Sequence, residues 1–437
     1  MKILRQIAML LVVAALSVCF SSCSDDDDGN ALSGNGLTGI GNLEGTKWTT
    51  ENWDIDFGDD WISTMDEVTY IYFYNSTEGL VYYYRKDSYS DDGTSYDSNI
   101  AHFTYTVNGN EITLNYITDP VYNVYYLTID GSVLTSNGTT FSKGTIDYSD
   151  TKRINTTHGT TGECKWYHNL KSSIWIEGDG DMADYTSYSQ TPWAKNDLYV
   201  SYVYVGDDVT SIGSYAFANV SVAEIPSNSS SLTKISKGAF ENSCITDMYF
   251  PSTLKTIGEE AFAGCTAFEA AINAEVEDIG NYAFYDCKSA RFTYGENKLK
   301  HIGDFAFAGC TVSSFPDSKV LEEIGIYAFT DCNFTTTLEL PNSLKTIGHG
   351  AFSDRGIETI YIGSGLTSVT GTPFYPSSEG SIYVNKKTPI GLSYPILDPN
   401  SIKNWTLYVP VRCSSAYSKA GYWSDFGKIQ ETNDFPS

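Results

Sequence analysis

The stretch that decides the fold is "IGEEAFAGC" at 257–265, followed by "IGNYAFYDC" at 279–287, "IGDFAFAGC" at 302–310 and "IGIYAFTDC" at 324–332. Its phenylalanine recurs at Phe217, Phe240, Phe262, Phe284, Phe307, Phe329, Phe352 and Phe374, always 22 or 23 residues apart. Self-similarity at so short and constant a period is the signature of a solenoid. Three positions before each isoleucine stands another apolar residue, as in Leu254 with Ile257, Leu299 with Ile302 and Leu344 with Ile347. The unit is therefore L-x-x-I-G-x-x-A-F-x-x-C, then a short strand such as "MYF", "LEL" or "IYI". Leucine and isoleucine point inward, glycine permits a tight bend, and alanine allows close packing beside a phenylalanine at the coil centre. One coil cannot bury that set alone, whereas stacked coils share it.

Equivalent positions in neighbouring coils stack, so Cys244, Cys265, Cys287, Cys310 and Cys332 are expected to form an inward-facing ladder. Disulfides are the alternative in an exported protein, but position-equivalent thiols have no natural pairing. With Cys164 and Cys413 there are seven cysteines beyond Cys19 and Cys23, an odd number. No C-x-x-C pair or nearby histidine set suggests zinc.

Upstream, "VTYIYFYN", "GLVYYYRK", "IAHFTYTV", "EITLNYIT" and "VYYLTI" are short aromatic or β-branched runs separated by turn pairs such as Asn108-Gly109. They predict six to eight antiparallel strands and a small barrel or sandwich over 43–150. Its tyrosines, among them Tyr70, Tyr72, Tyr74 and Tyr82, either stack on sugars or divide between the core and a solvated face. The carboxylates of "DIDFGDDW" and "SYSDDG" lack the spacing of an EF-hand loop and read as surface acidity.

The chain starts "MKILRQIAMLLVVAALSVCFSSCSDDDDGN". A basic start, an apolar run from Ile7 to Leu16 and small residues make a secretory signal, and that run is shorter than the ~20 residues of a membrane span. The segment resembles a bacterial lipoprotein signal over 1–22, with Cys23 as the lipidated residue and Cys19 as the competing site. The acidic run after Cys23 resembles the surface-export signal of Bacteroidetes lipoproteins, the plainer reading being a solvated linker. Residues 23–42 then form an acidic, flexible tether, and the lipid is the expected membrane anchor at an outer membrane facing the cell exterior.

The repeats resemble the BspA-like class of bacterial leucine-rich repeats. "LKTIGEEAFAGC" and "LPNSLKTIGHGAF" carry the resemblance. It implies an N-terminal cap over 160–206, about eight coils over 207–376 and a C-terminal cap over 377–437. "LEGTKW" and the closing "LTIDGSVLTSNGTTFSKG" make the upstream β domain similar to lipocalin-like domains of the same lipoproteins.

Against 54 acidic residues the chain has 27 basic ones, a formal charge of -27, which repels nucleic acid and anionic lipid. No H-E-x-x-H, G-x-S-x-G or phosphate-binding loop is present, and His102, His158, His168, His301 and His349 are scattered. The expectation is a binding module, not an enzyme, and no cofactor is expected. Alternate strand residues face outward, giving one column of Glu224, Tyr249, Ala271, Thr293, Ser314, Glu339 and Tyr361 and a neighbouring one of Asp247, Glu269, Arg291, Thr337 and Thr359. Tyrosine and arginine are typical of interface hot spots. The resemblance implies a surface adhesin that contacts host or other-cell proteins. Glycan capture by the tyrosine-rich β domain, or a spacer role, are the alternatives.

Overall fold

The computed structural model describes residues 43–435, apart from 56–63, 89–93, 119–123, 131–132, 137–138, 147–151, 153, 171, 221–229, 246, 268, 274, 288, 293–296, 313–314, 333–335, 354–355 and 377–378. The signal segment, Cys23, Glu224, Thr293 and Ser314 lie outside the described residues. The chain divides into two compact units, one of 1–159 with 167–174 and one of 160–166 with 175–437.

In the first unit, eight strands close into an antiparallel barrel: β1 (Thr46–Ile55), β2 (Thr64–Phe73), β3 (Glu78–Ser88), β4 (Thr94–Asn108), β5 (Glu111–Tyr116), β6 (Val124–Asp130), β7 (Val133–Ser136) and β8 (Thr139–Gly144). Gly109-Asn110 turns β4 into β5, one position later than the expected Asn108-Gly109, since Asn108 still pairs with Glu111; Gly109 stands at φ 63°, a left-handed geometry that two-residue hairpins use. Alternation decides which side chains enter the barrel. Ile71 and Phe73 of β2 join Trp48, Phe103, Leu114, Leu127 and Phe141 in one core, with Phe73 edge-on to Phe103 at 5.6 Å.

The tyrosines divide between packed and solvated positions: Tyr125 packs against this core and Tyr126 is exposed, while those alternating with Ile71 and Phe73 enter a second cluster. Tyr72 is fully buried on the other side of the sheet with Leu80, Ile100 and Ile154, and Tyr70, Tyr74 and Tyr82 pack against this second cluster. Tyr70 stacks on Tyr82, and the Lys47 ammonium lies 4.1 Å from the Tyr70 ring centre. Tyr70, Tyr74 and Tyr82 are half-buried there.

The same covered side brings together histidines that are far apart in sequence. His102 on β4 is fully buried. Its ring lies 5.5 Å from His158, 5.3 Å from Tyr167 and 6.4 Å from Tyr74. Tyr167 donates to Glu78 at 2.7 Å. Neither His102 ring nitrogen has a hydrogen-bond partner at bonding geometry. Burial, reinforced by the charges of His158 and His168, holds its pKa well below the usual histidine value, and the backbone carbonyls of His168 and Thr157 oppose this only weakly.

The second unit is a parallel solenoid. A nine-stranded sheet, its strands two residues long except for the four-residue Val209–Ile212, runs from Gly180–Asp181 through Val209–Ile212, Lys234–Ile235 and their successors to Ser368–Val369. On another side lie a four-stranded sheet from Asp247–Tyr249 to Thr311–Val312 and a five-stranded one from Thr337–Leu340 to Lys428–Thr432. Helix is confined to single turns such as Pro192–Lys195 and Ser414–Tyr417.

The repeat phenylalanines form one column of stacked rings. Phe240 to Phe262 is 5.4 Å, Phe284 to Phe307 5.3 Å and Phe307 to Phe329 5.2 Å. The column continues past the repeats. Trp193 stacks on Phe217 at 5.2 Å, and Phe374 bridges to Leu397. The segments flanking the repeats thus extend the stack. The glycine after each isoleucine serves less to bend the chain than to admit the previous coil: a Cβ on Gly280 would sit 2.5 Å from the Glu259 nitrogen.

Candidate interaction surface of the solenoid

The four inner thiols Cys265, Cys287, Cys310 and Cys332 are buried. Each points its Sγ at the carbonyl of the phenylalanine one coil back: Cys265 to Phe240, Cys287 to Phe262 and Cys332 to Phe307 at 3.1 Å, Cys310 to Phe284 at 3.6 Å. Cys244 does not belong with them. It is exposed, because it follows its phenylalanine by four positions instead of three. Ser243 takes the slot, donating to the Phe217 carbonyl at 2.7 Å. Burial raises the Cys265 thiol to about 12. A hydrogen bond with Cys310 and burial push Cys287 up as well. These are poor nucleophiles, since the thiolate is the reactive form. Among the described residues no group of histidine, cysteine and carboxylate side chains is arranged to hold a metal ion.

The corner bearing the two-residue strands carries alternating charges along Lys255, Glu277, Lys300, Glu322 and Lys345. Lys300 meets Glu277 at 2.6 Å and Lys345 meets Glu322 at 2.7 Å. Each lysine holds its partner carboxylate below the usual range, through the hydrogen bond first and the charge second. Exposed pairs of this kind add little stability, but they neutralise the column from within.

The wider sheets alternate as expected. In Thr337–Leu340 and Thr359–Ile362, Leu338, Leu340, Ile360 and Ile362 are buried, while Glu339 is exposed and Tyr361 half-buried. Glu339 pairs with Tyr361 across the sheet. The anticipated columns need one correction. Glu269 pairs with Ser289, and Arg291 pairs with Ala271, which itself pairs with Tyr249. Glu269 follows Phe262 by seven positions and Ser289 follows Phe284 by five. The shift of two keeps Arg291 exposed but moves it from the column of Asp247 and Glu269 into that of Tyr249. Asp247 and Tyr249 lie on the first strand of that sheet.

The five-stranded sheet holds what the sequence reading missed. Tyr361 pairs with Tyr383, Tyr383 with Tyr408, and Tyr408 with Gln430. The rings stack at 4.5 and 4.4 Å. Beside them Thr337, Thr359, Ser381 and Thr406 form a column of hydroxyls. Burial and the neighbouring Tyr408 and Tyr361, with Asp434 beyond, raise the Tyr383 phenol, which stays protonated and able to donate. Ring faces are used on one another, leaving edges and hydroxyls outward. Tyr383 and Tyr408 fall in the segment read as a cap. The alternation of "SIYVN" and "WTLYVP" was the available signal.

Residues 195–274 and 268–380 match the family described as BspA type leucine rich repeat region, in six copies. Residues 195–380 of the solenoid are thus similar to BspA-type leucine-rich repeats. A leucine-rich repeat protein from Eubacterium ventriosum is similar at 18% identity, covering 62% of this chain and 84% of its own, with a TM-score of 0.32. One from Bacteroides ovatus gives 18%, 61%, 89% and 0.31 in the same order. A leucine rich cell surface protein from Faecalibacterium prausnitzii gives 14%, 63%, 95% and 0.22. No curated protein matches. Among the described residues no helix is long and apolar enough to cross a membrane.

Proposed function

We propose that this chain is a non-catalytic surface lipoprotein, anchored through Cys23 at the outer membrane, whose BspA-type solenoid binds a protein on a host or neighbouring cell. The observation that carries the reading is the Tyr361, Tyr383 and Tyr408 ladder with its hydroxyl border. Three rigid aromatic side chains are held in register on a sheet whose other face is a packed core. Tyrosines so arranged give contact area at little cost in side-chain entropy. The signal segment and the acidic run after Cys23 support display outside the cell, with a lipocalin-like barrel over 43–150 lying between them and the solenoid in the sequence.

The test has two parts. Protease added to intact producing cells cleaves the chain while a periplasmic control survives; protection of the chain removes the display reading. Beads coated with the mature chain adhere to epithelial monolayers, and the triple variant Y361S/Y383S/Y408S retains about one tenth of that adhesion, roughly 1.4 kcal/mol of contact energy. Undiminished adhesion of a folded triple variant refutes the ladder as the contact.

A further inference from the structure

A second aromatic row lies on a turn of the solenoid, away from the sheets. In successive coils Tyr215, Gly238, Glu260, Tyr282, Phe305, Tyr327 and Gly350 occupy one position, all with φ between 50° and 62°. This is the left-handed region, where a side chain meets a steric penalty that glycine avoids. Glycine and glutamate at the same position show that coil stacking does not need an aromatic residue there. Three consecutive coils nevertheless place one: Tyr282 stacks on Phe305 at 4.9 Å, and Tyr327 lies 5.1 Å from Phe305 with its ring tilted by 33°. Tyr285 meets Tyr282 edge-on at 5.7 Å. Tyr282, Tyr285 and the adjoining Ile326 are 36%, 43% and 37% exposed, the patch being one of the most open aromatic areas of the solenoid.

Its charge is one-sided. Glu260 heads the row, Asp304 stands beside Phe305, and Asp286 and Asp331 occupy a second left-handed position further along the same turn. Lys237 is engaged by Glu259 at 3.0 Å and Glu260 at 3.5 Å. Among the described residues Asp286, Asp304 and Asp331 make no ion pair, unlike the carboxylates of the Lys255 to Lys345 column, which meet lysines. Crowding is already felt at Glu241, whose carboxyl is raised by burial first and by the Glu260 charge second.

We propose that this turn, Tyr282, Phe305 and Tyr327 with Tyr285 and the surrounding carboxylates, docks an arginine- or lysine-bearing protein segment. The aliphatic stems of such residues lie along the ring edges, their head groups reach the carboxylates, and the open face of Tyr285 takes a cation. The surface is separate from the tyrosine ladder and stands whether or not that ladder binds anything.

The test uses the full mature chain and a fluorescein-labelled nine-residue peptide alternating arginine and glycine, at about 0.15 M salt, where distant charges are screened. The parent binds it saturably and binds the citrulline counterpart about tenfold more weakly. Y282G/F305G/Y327G removes the rings without changing charge and uses the residue that Gly238 and Gly350 already supply. This variant and D286N/D331N each bind about tenfold more weakly, whereas E323Q/E358Q, the same charge change elsewhere, stays within about twofold. Equal losses for the two double variants mean diffuse attraction and overturn the proposal, as does full binding by the glycine variant or none by the parent. If the glycine variant does not fold, exposed Tyr285→Ser takes its place, and unchanged binding overturns the proposal equally.

Discussion

Acidification should loosen the barrel unit through His102. The ring is fully buried without a partner for either nitrogen, and it faces His158, His168, Tyr74 and Tyr167, with Glu78 one hydrogen bond beyond. Its folded-state pKa lies well below that of the unfolded chain, about 6.5. Above that pH both states are neutral at this position and stability is unaffected. Below it the unfolded state binds a proton that the folded state refuses, so stability falls by about 1.4 kcal/mol per pH unit until the folded pKa is reached. Each pH unit in that interval therefore removes about 1.4 kcal/mol through this one group, a sizeable part of the stability of an ordinary domain. The assay is a urea series at each pH, with pulse-labelling mass spectrometry on peptides from β4. His102→Leu removes the titrating ring and should abolish most of that increment while leaving the pH response of the carboxylates intact. Parallel pH profiles for parent and variant would refute the reasoning.

Two further outcomes follow from the solenoid. Phe284→Ala, which removes a fully buried ring stacked between Phe262 and Phe307 at 5.4 and 5.3 Å, should cost about 3–5 kcal/mol. Because coils touch only their neighbours, thermal unfolding should split into two transitions by calorimetry; a loss under about 1 kcal/mol contradicts a shared core. In thiol labelling of the intact chain, Cys244 and Cys413 should react at once and the four inner cysteines only on unfolding. Raising the pH from about 7 to about 9 should not speed Cys265, whose thiol is pushed to about 12, as it would an ordinary thiol near 8.5; equal acceleration of all the cysteines refutes the ladder.

The solenoid was legible because its restraint is periodic. Phe262 or Ile302 must point inward in every coil, so a constant spacing survives in the sequence. Cys244 shows the limit: a similar residue one position late leaves the slot altogether, and a serine beside it does the work. Pairing across the sheets was less readable, since the link between phenylalanine and strand varies, which is why Arg291 stands opposite Ala271. The tyrosine ladder was half visible: Tyr383 follows Tyr361 by the repeat spacing of 22 residues, but the repeat phrase has ended there, and Tyr408 comes 25 residues further on, off the period. The histidine cluster left no local trace. His102, His158 and His168 meet only because the segment after the barrel folds back onto the outer face of β2 to β4, a long-range event that no local pattern encodes.

The column of stacked rings has a mechanical consequence. Each coil holds its place through the coils on either side, so a load applied along the stack is carried in series and the weakest junction yields first. A coil of 22 or 23 residues that peels away releases roughly 75 Å of chain, at about 3.3–3.6 Å per residue, while the remaining coils stay folded. Stretched between two attachment points, such a molecule lengthens in steps and dissipates work at each one.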